Sequence, residues 1–235
     1  MNISFRTILL VIALALFLRG YEWVAHDSRM PWTPLSLAAP IGPFTTRKID
    51  ALADDTPRCQ GLLEEASIGF SPLPPVTASP DCGYDNGVTL TRDQPQAIAY
   101  SPAAQTSCPM AVSLVLWENQ VVNAAAVRHL GTTIDQIVTY GSYSCRRIGG
   151  GPTGNYSEHA QANAIDIAAF RLADGRTVSV AGHWNANDAR SRFLREVRDG
   201  ACELFATTLS PDYNKAHSDH LHLDQARRGG SRYCR

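Results

Sequence analysis

Two stretches of this chain concentrate side chains that exchange protons and ligate metals. One is Ser157-Glu158-His159-Ala160-Gln161-Ala162-Asn163-Ala164-Ile165-Asp166, and the other is His217-Ser218-Asp219-His220-Leu221-His222-Leu223-Asp224. An arginine stands upstream of both, in Tyr143-Ser144-Cys145-Arg146. Alternate residues of a strand share a face, so His220 and His222 project together while Leu221 and Leu223 turn the other way. Asp166 sits between Ile165 and Ile167, and a carboxylate in so apolar a strand is costly unless a cation or hydrogen bonds satisfy it. His159 precedes it by seven positions, enough chain to leave a loop and approach the same point. Two imidazoles and one carboxylate suit catalytic zinc, because three protein ligands leave the fourth tetrahedral position for water. Singly, each residue also fits a plainer role: a solvated turn or a buried hydrogen-bond network for the histidines, a cap or ion pair for Asp166. The joint pattern favours the metal.

These residues need elements to hold them. Ala164–Leu172, the turn Asp174-Gly175 and 177–180 predict a β-hairpin carrying Asp166. Residues 134–143 and 220–223 predict further strands, as do 88–90 and 97–100. The segment 107–130 predicts a long buried helix, with Ser107 as cap, Pro109 in its first turn and Gly131 at its end. Residues 188–205 predict an amphipathic helix, and 46–66 a helix broken near Pro57 with cap chemistry from Asp54 and Asp55. The proline-rich stretch 70–81 predicts a loop. Helices first and an antiparallel sheet afterwards give an α+β fold.

Composition narrows the class. The 21 Lys+Arg against 22 Asp+Glu leave a formal charge of −1, without the basic excess that phosphate-backbone binding needs, so no nucleic-acid partner is expected. At 44% hydrophobic the chain is too apolar for wholesale disorder. Its start has Arg6 followed by the apolar run Ile8–Leu18, the pattern of an export signal, and Arg19 and Glu22 interrupt it early for a spanning helix. Residues 1–29 therefore read as a signal peptide or an uncleaved anchor, the only expected contact with a membrane. Residues 30–45, with Pro31, Pro34, Pro40 and Pro43, read as an extended tether or arm. The body is 46–235. Cys59, Cys82, Cys108, Cys145, Cys202 and Cys234 contain no CxxC pair and form an even set behind an export signal, so disulfides are expected. Neighbour pairing (59–82, 108–145, 202–234) is the simplest connectivity. Gly149-Gly150-Gly151 lacks the Lys-Ser/Thr of a phosphate loop and predicts a flexible rim before His159. There is no Gly-x-Ser-x-Gly elbow, and oxidised cysteines offer no thiol nucleophile. His183-Trp184 and His217 fit packing or a turn as well as a groove, and His129 at a helix C-terminus complements the dipole.

Ser157-x-His159-x-x-Ala162-x-Ala164-x-Asp166 resembles the SxHxxGxAxD motif of D-Ala-D-Ala carboxypeptidases and related peptidoglycan zinc peptidases. The later Asp219-x-x-His222, containing His220-x-His222, resembles the second half of their zinc site. The body after residue 45, with Arg58-Cys59 and Ser-Tyr-Ser-Cys-Arg, resembles the bacterial extensin-like C-terminal domain proteins. One departure is Ala162, where the peptidase motif usually has glycine. The resemblance implies a small antiparallel sheet carrying Zn2+ on His159, Asp166 and His222. It implies either His220, acting on the metal water or the tetrahedral intermediate, or Asp219 as general base. A strand running regularly through 219–223 favours His220, and one starting at His220 lets Asp219 swing in from the loop. Arg146 matches the arginine that holds the substrate carbonyl or the oxyanion. Zinc-assisted hydrolysis of peptidoglycan stem or cross-link peptides, in the periplasm or cell envelope, is the implied function. A wall-binding or scaffold protein that keeps the fold without turnover is the alternative.

Overall fold

A computed structural model describes residues 5–93 and 97–235; Met1–Ser4, part of the expected export signal, lie outside the described residues. The chain opens with helix α1 (Phe5–His26), whose apolar residues Leu10, Leu16 and Phe17 are exposed. The segment after it contains no helix but is docked on the body. Leu35 and Leu37 are buried, and the Gln120 amide clamps the strap by donating to Ala39 O (2.8 Å) and accepting from Ile41 N (2.9 Å). Lys48 Nζ ties its start by donating to Ser28 O at 2.7 Å.

Next come α2 (Thr45–Asp50), a 3₁₀ turn (Ala51–Asp54) and α3 (Thr56–Glu65), with Asp55 capping α3 by accepting from Arg58 N at 3.1 Å. Residues 70–81, expected as a loop, contain β1 (Phe70–Pro72) and β2 (Val76–Ser79). Pro72 ends β1, and Pro74, Pro75 and Pro80 lie outside the two strands, where a missing N–H costs least. β3 (Cys82–Tyr84), β4 (Gly87–Leu90), β5 (Ala99–Ser101) and β6 (Gln105–Ser107) follow. β1, β4 and β6 form one small antiparallel sheet, and β2 and β3 another.

The buried helix is two helices, α4 (Cys108–Trp117) and α5 (Asn123–Leu130), joined by a π turn at Glu118–Val122. Ser107 caps α4, and Gly131, at φ 73°, ends α5 in the left-handed conformation that glycine adopts without penalty. Every residue of α4 is buried. The run from Cys108 to Leu130 is long and apolar enough to cross a membrane, yet it is the core of the body.

β7 (Ile134–Gly141), β8 (Ala164–Leu172), β9 (Thr177–Ser179), α6 (Val180–His183), α7 (Ala189–Cys202), β10 (Thr207–Leu209), β11 (Leu221–Asp224) and β12 (Tyr233–Cys234) complete the chain. The main sheet has the order β12-β10-β11-β8-β7-β5, with β9 beside β8. Its middle is antiparallel, as expected for an α+β fold; the edge pairs β5/β7 and β10/β12 are parallel. Pairing is irregular at Ala168, where Val138 meets Ala169 and Thr139 meets Ile167. This bulge resets the alternation, so Phe170 joins Ile165 and Ile167 in the core and packs against Trp117 and Phe193.

All six cysteines are paired, as Cys59–Cys108, Cys82–Cys145 and Cys202–Cys234. Only the last is a neighbour pair. The expected 59–82 and 108–145 bridges are replaced because α3 packs on α4, bringing Cys59 to Cys108, and Cys82 on β3 meets the loop after β7. Three disulfides and no free thiol belong to an oxidising, exported environment.

Candidate metal centre

His159 sits on a 3₁₀ turn, Glu158–Gln161, whose first N–H groups Ser157 Oγ faces. The turn ends at Ala162, with φ 53° and ψ 22°. That is the left-handed region, where a side chain costs about 1–2 kcal/mol and glycine nothing comparable. This chain holds alanine there, with its methyl fully buried. From Asn163 the chain enters β8. Asn163 Nδ2 donates to Gln225 O (2.7 Å) and Gln225 N donates to Asn163 O (3.1 Å), fixing the start of β8 to the end of β11.

Across the sheet, Leu209, His222, Asp166 and Gly141 are partners in one row on β10, β11, β8 and β7. Cross-strand partners share a face, so His222 meets Asp166 directly. His222 Nδ1 lies 2.9 Å from Asp166 Oδ1, and His159 Nε2 lies 3.3 Å from both. His159 and Asp166 are buried, at 3% and 7% exposure. This Asp166, His159, His222 cluster is the one the sequence singled out for zinc, and it is the only metal-competent triplet among the described residues.

The donor set fits zinc. A tetrahedral ion with bonds of about 2.0–2.1 Å sets its ligand atoms roughly 3.3 Å apart, and the three separations here are 2.9, 3.3 and 3.3 Å. The outer ring nitrogens are spoken for. His159 Nδ1 lies 2.5 Å from the Ser142 carbonyl, which can only accept, so the Nε2 lone pair points inward. His222 Nε2 lies 3.1 Å from Asp224 Oδ2, which leaves its Nδ1 inward. Burial opposes charge on both Asp166 and His222, but their mutual contact outweighs it. Contact with the His159 and His222 rings holds Asp166 far below the usual carboxylate range. Asp166 and Asp224 raise His222 to about 9. A proton on His222 would offset part of the negative charge beside it, and a metal would take that proton's place.

His220 precedes β11 rather than starting it. Its Nε2 lies 3.6 Å from Asp166 Oδ1, beside the triplet, and its Nδ1 lies 2.8 Å from Asp219 Oδ1. Asp219 is half exposed in the loop and reaches His220 and the Tyr140 hydroxyl, not the triplet itself. Arg146 Nη2 stands 3.8 Å from Asp166 Oδ2. Its segment is zipped to the His159 turn by Ser144 N to His159 O (2.9 Å) and Ser157 N to Arg146 O (3.0 Å), and Cys145 is tied to Cys82. Arg147 turns aside, stacking over Tyr156 at 4.1 Å.

The cluster opens into a cleft of about 940 Å³ lined by all six candidate residues, by His217 and by the Gly149-Gly150 rim. His217 is pushed down to about 4 by burial first and by His220 and His222 next. His183 accepts from Ser179 N at 3.0 Å and is absent from the cleft, and His129 pairs with Glu196 at 2.7 Å. Ser142, Asp224, Tyr213 and Arg228 also belong to the cleft, and no motif or spacing in the sequence pointed to them. Of these, Asp224 was within reach, because it stands two residues after His222 on one strand.

An α+β body that brings two imidazoles and a carboxylate to one point at the floor of a cleft defines the class. Residues 57–235 match the family described as extensin-like protein C-terminus, and the chain belongs to that family. No curated protein and no solved structure matches the chain.

Proposed function

We propose that this protein is a zinc-dependent peptidase acting on stem or cross-link peptides of peptidoglycan in the periplasm or cell envelope. The observation that carries the reading is the convergence of His159 Nε2, Asp166 Oδ1 and His222 Nδ1 within 2.9–3.3 Å of one another, beneath an open cleft. The resemblance of Ser157–Asp166 and Asp219–His222 to peptidoglycan zinc peptidases supports the substrate class, and three disulfides support the compartment.

His159, Asp166 and His222 would hold the ion, which when bound supplies Lewis-acid polarisation of a carbonyl and a water made acidic near pH 7. The chain's own groups divide the remaining work. His220 Nε2, 3.6 Å from Asp166 Oδ1, would take up a proton beside the triplet, and the Asp219 carboxylate 2.8 Å from its Nδ1 fixes the ring. The two candidates for general base therefore act as one unit, with His220 nearer the reacting atoms. Arg146 projects over Asp166 and can meet negative charge as it grows on the carbonyl oxygen. The resulting imidazolium returns its proton to the leaving amine.

The test is digestion of a muropeptide mixture by zinc-loaded protein, read by mass spectrometry. A new amine and carboxyl terminus is expected, and it disappears in His220→Ala protein that retains zinc. Zinc-loaded protein that leaves every peptide bond intact yet sediments with sacculi would replace the peptidase with a wall-binding scaffold.

A further inference from the structure

Outside α1, the large apolar or aromatic side chains most exposed among the described residues are Trp32, Val127, Tyr140, Ile148, Tyr213 and Tyr233. The last four of these line the cleft. Scattered exposed hydrophobes need no explanation, but their convergence on one cleft does. Three of the four are tyrosines, and they belong to a continuous wall of rings. Tyr233 meets Tyr213 at 6.3 Å, Tyr213 meets His217 at 5.5 Å, His217 meets His220 at 5.2 Å, and His220 meets Tyr140 at 5.7 Å. The wall begins at the β12 edge of the sheet and passes beside His222, whose ring is 5.9 Å from His217.

The cleft carries a second chemistry as well. Arg146 stands 3.8 Å from Asp166, and Arg228 lines the cleft without a hydrogen bond or ion pair from its guanidinium among the described residues. The cleft therefore offers both amphipathic rings and cations. An open wall of tyrosines suits a ligand with apolar C–H faces and a hydroxylated equator, as a pyranose has. The wall also continues beyond the triplet, so its ligand extends past the reacting group.

We propose that the Tyr233-Tyr213-His217-Tyr140 wall is a carbohydrate subsite that takes the N-acetylated hexosamine backbone of peptidoglycan while the carboxylate-bearing peptide lies toward the arginines. The peptide half of this arrangement, and peptidoglycan as the source of the glycan, rest on the peptidase reading; the stacking of a pyranose on the ring wall does not. The substrate is then a peptide still attached to its sugar rather than a free peptide.

The experiment is calorimetric titration of the full-length protein, in chelator, with peptide-free N-acetylhexosamine oligomers and separately with sugar-free stem peptide. The parent is expected to bind the oligomers, and Tyr213→Ala and Tyr233→Ala each to weaken binding by about tenfold, the order of one ring-stacking contact. Tyr213→Phe keeps the ring and should stay within about twofold on the same scale, so a folding defect in the alanine variant does not decide the outcome. Val127→Ala, exposed but outside the cleft, should bind like the parent. Absence of oligomer binding by the parent, or parent-like binding by the Tyr213→Ala/Tyr233→Ala double variant, overturns the subsite. So does stem-peptide binding that alone depends on Tyr213, which would make the wall a peptide site. Because no bond is cut in this assay, a failure of hydrolysis leaves its outcome unchanged.

Discussion

β8 and β11 carry one ladder of backbone hydrogen bonds and two opposite chemistries. On one face Ile165, Ile167, Leu221 and Leu223 are fully buried in the core. On the other, Asp166, His222 and Asp224 lean on one another at the floor of the cleft. The first face gains about 1.5–3 kcal/mol per side chain from apolar area removed from water. The second loses solvation of charge and recovers it only through contacts within the cluster. Slipping the pairing by one residue would exchange the faces, so the leucines and isoleucines are what hold the imidazole and carboxylate in register. Stability and chemistry are thus assigned to alternate residues of the same strands.

Substitutions at adjacent positions can pull the two apart. Asp166→Ala should abolish bound zinc, read by elemental analysis, and peptide hydrolysis with it, while circular dichroism stays that of the folded parent. Retained zinc would remove Asp166 from the centre. Ile165→Ala, one residue away, should do the reverse: a loss of about 2–5 kcal/mol in denaturant unfolding with zinc content unchanged below the transition. Asp224→Asn should weaken zinc binding by roughly 10–100-fold in competition with a chelator, as expected for an outer partner of a ligating imidazole. Parent-like affinity would mean that Asp224 does not orient His222.

A further test lies outside the cleft. Burial raises Glu118 to about 8 from 4.5, against the hydrogen bond from the Tyr100 hydroxyl. Its proton is held in the folded chain and released in the unfolded one. The stability this gives is complete below pH 4.5 and is lost as pH rises towards 8. Glu118→Gln has no such proton, so its melting temperature should gain on the parent's steadily between about pH 5 and pH 8. A constant difference across that range would mean that Glu118 is already ionised in the fold.

Much of the cleft floor was legible because it is written in strand alternation. The hairpin carrying Asp166, the shared face near His222, and the capped ends at Ser107 and Gly131 all follow from local rules. The π turn at Glu118 was not legible, since the apolar run continues through it. Nor were the crossed disulfides, which depend on α3 lying against α4 rather than on spacing. The β12 edge is two residues long, too short to show a period, whereas β5 overlaps the strand expected at 97–100. The bulge at Ala168 hides Phe170's direction, and the ring wall draws on a loop, the β12 edge and the end of β7, which are distant in sequence. Ala162 sits between these cases: the position stood out in the sequence, but its left-handed backbone needed coordinates.

Anomalous diffraction from crystals of the full-length protein at the zinc absorption edge tests the central claim most directly. The expected result is one strong peak about 2.0–2.1 Å from His159 Nε2, Asp166 Oδ1 and His222 Nδ1 together. Zinc-supplemented crystals with no peak there, or with a peak held by other side chains, would contradict it.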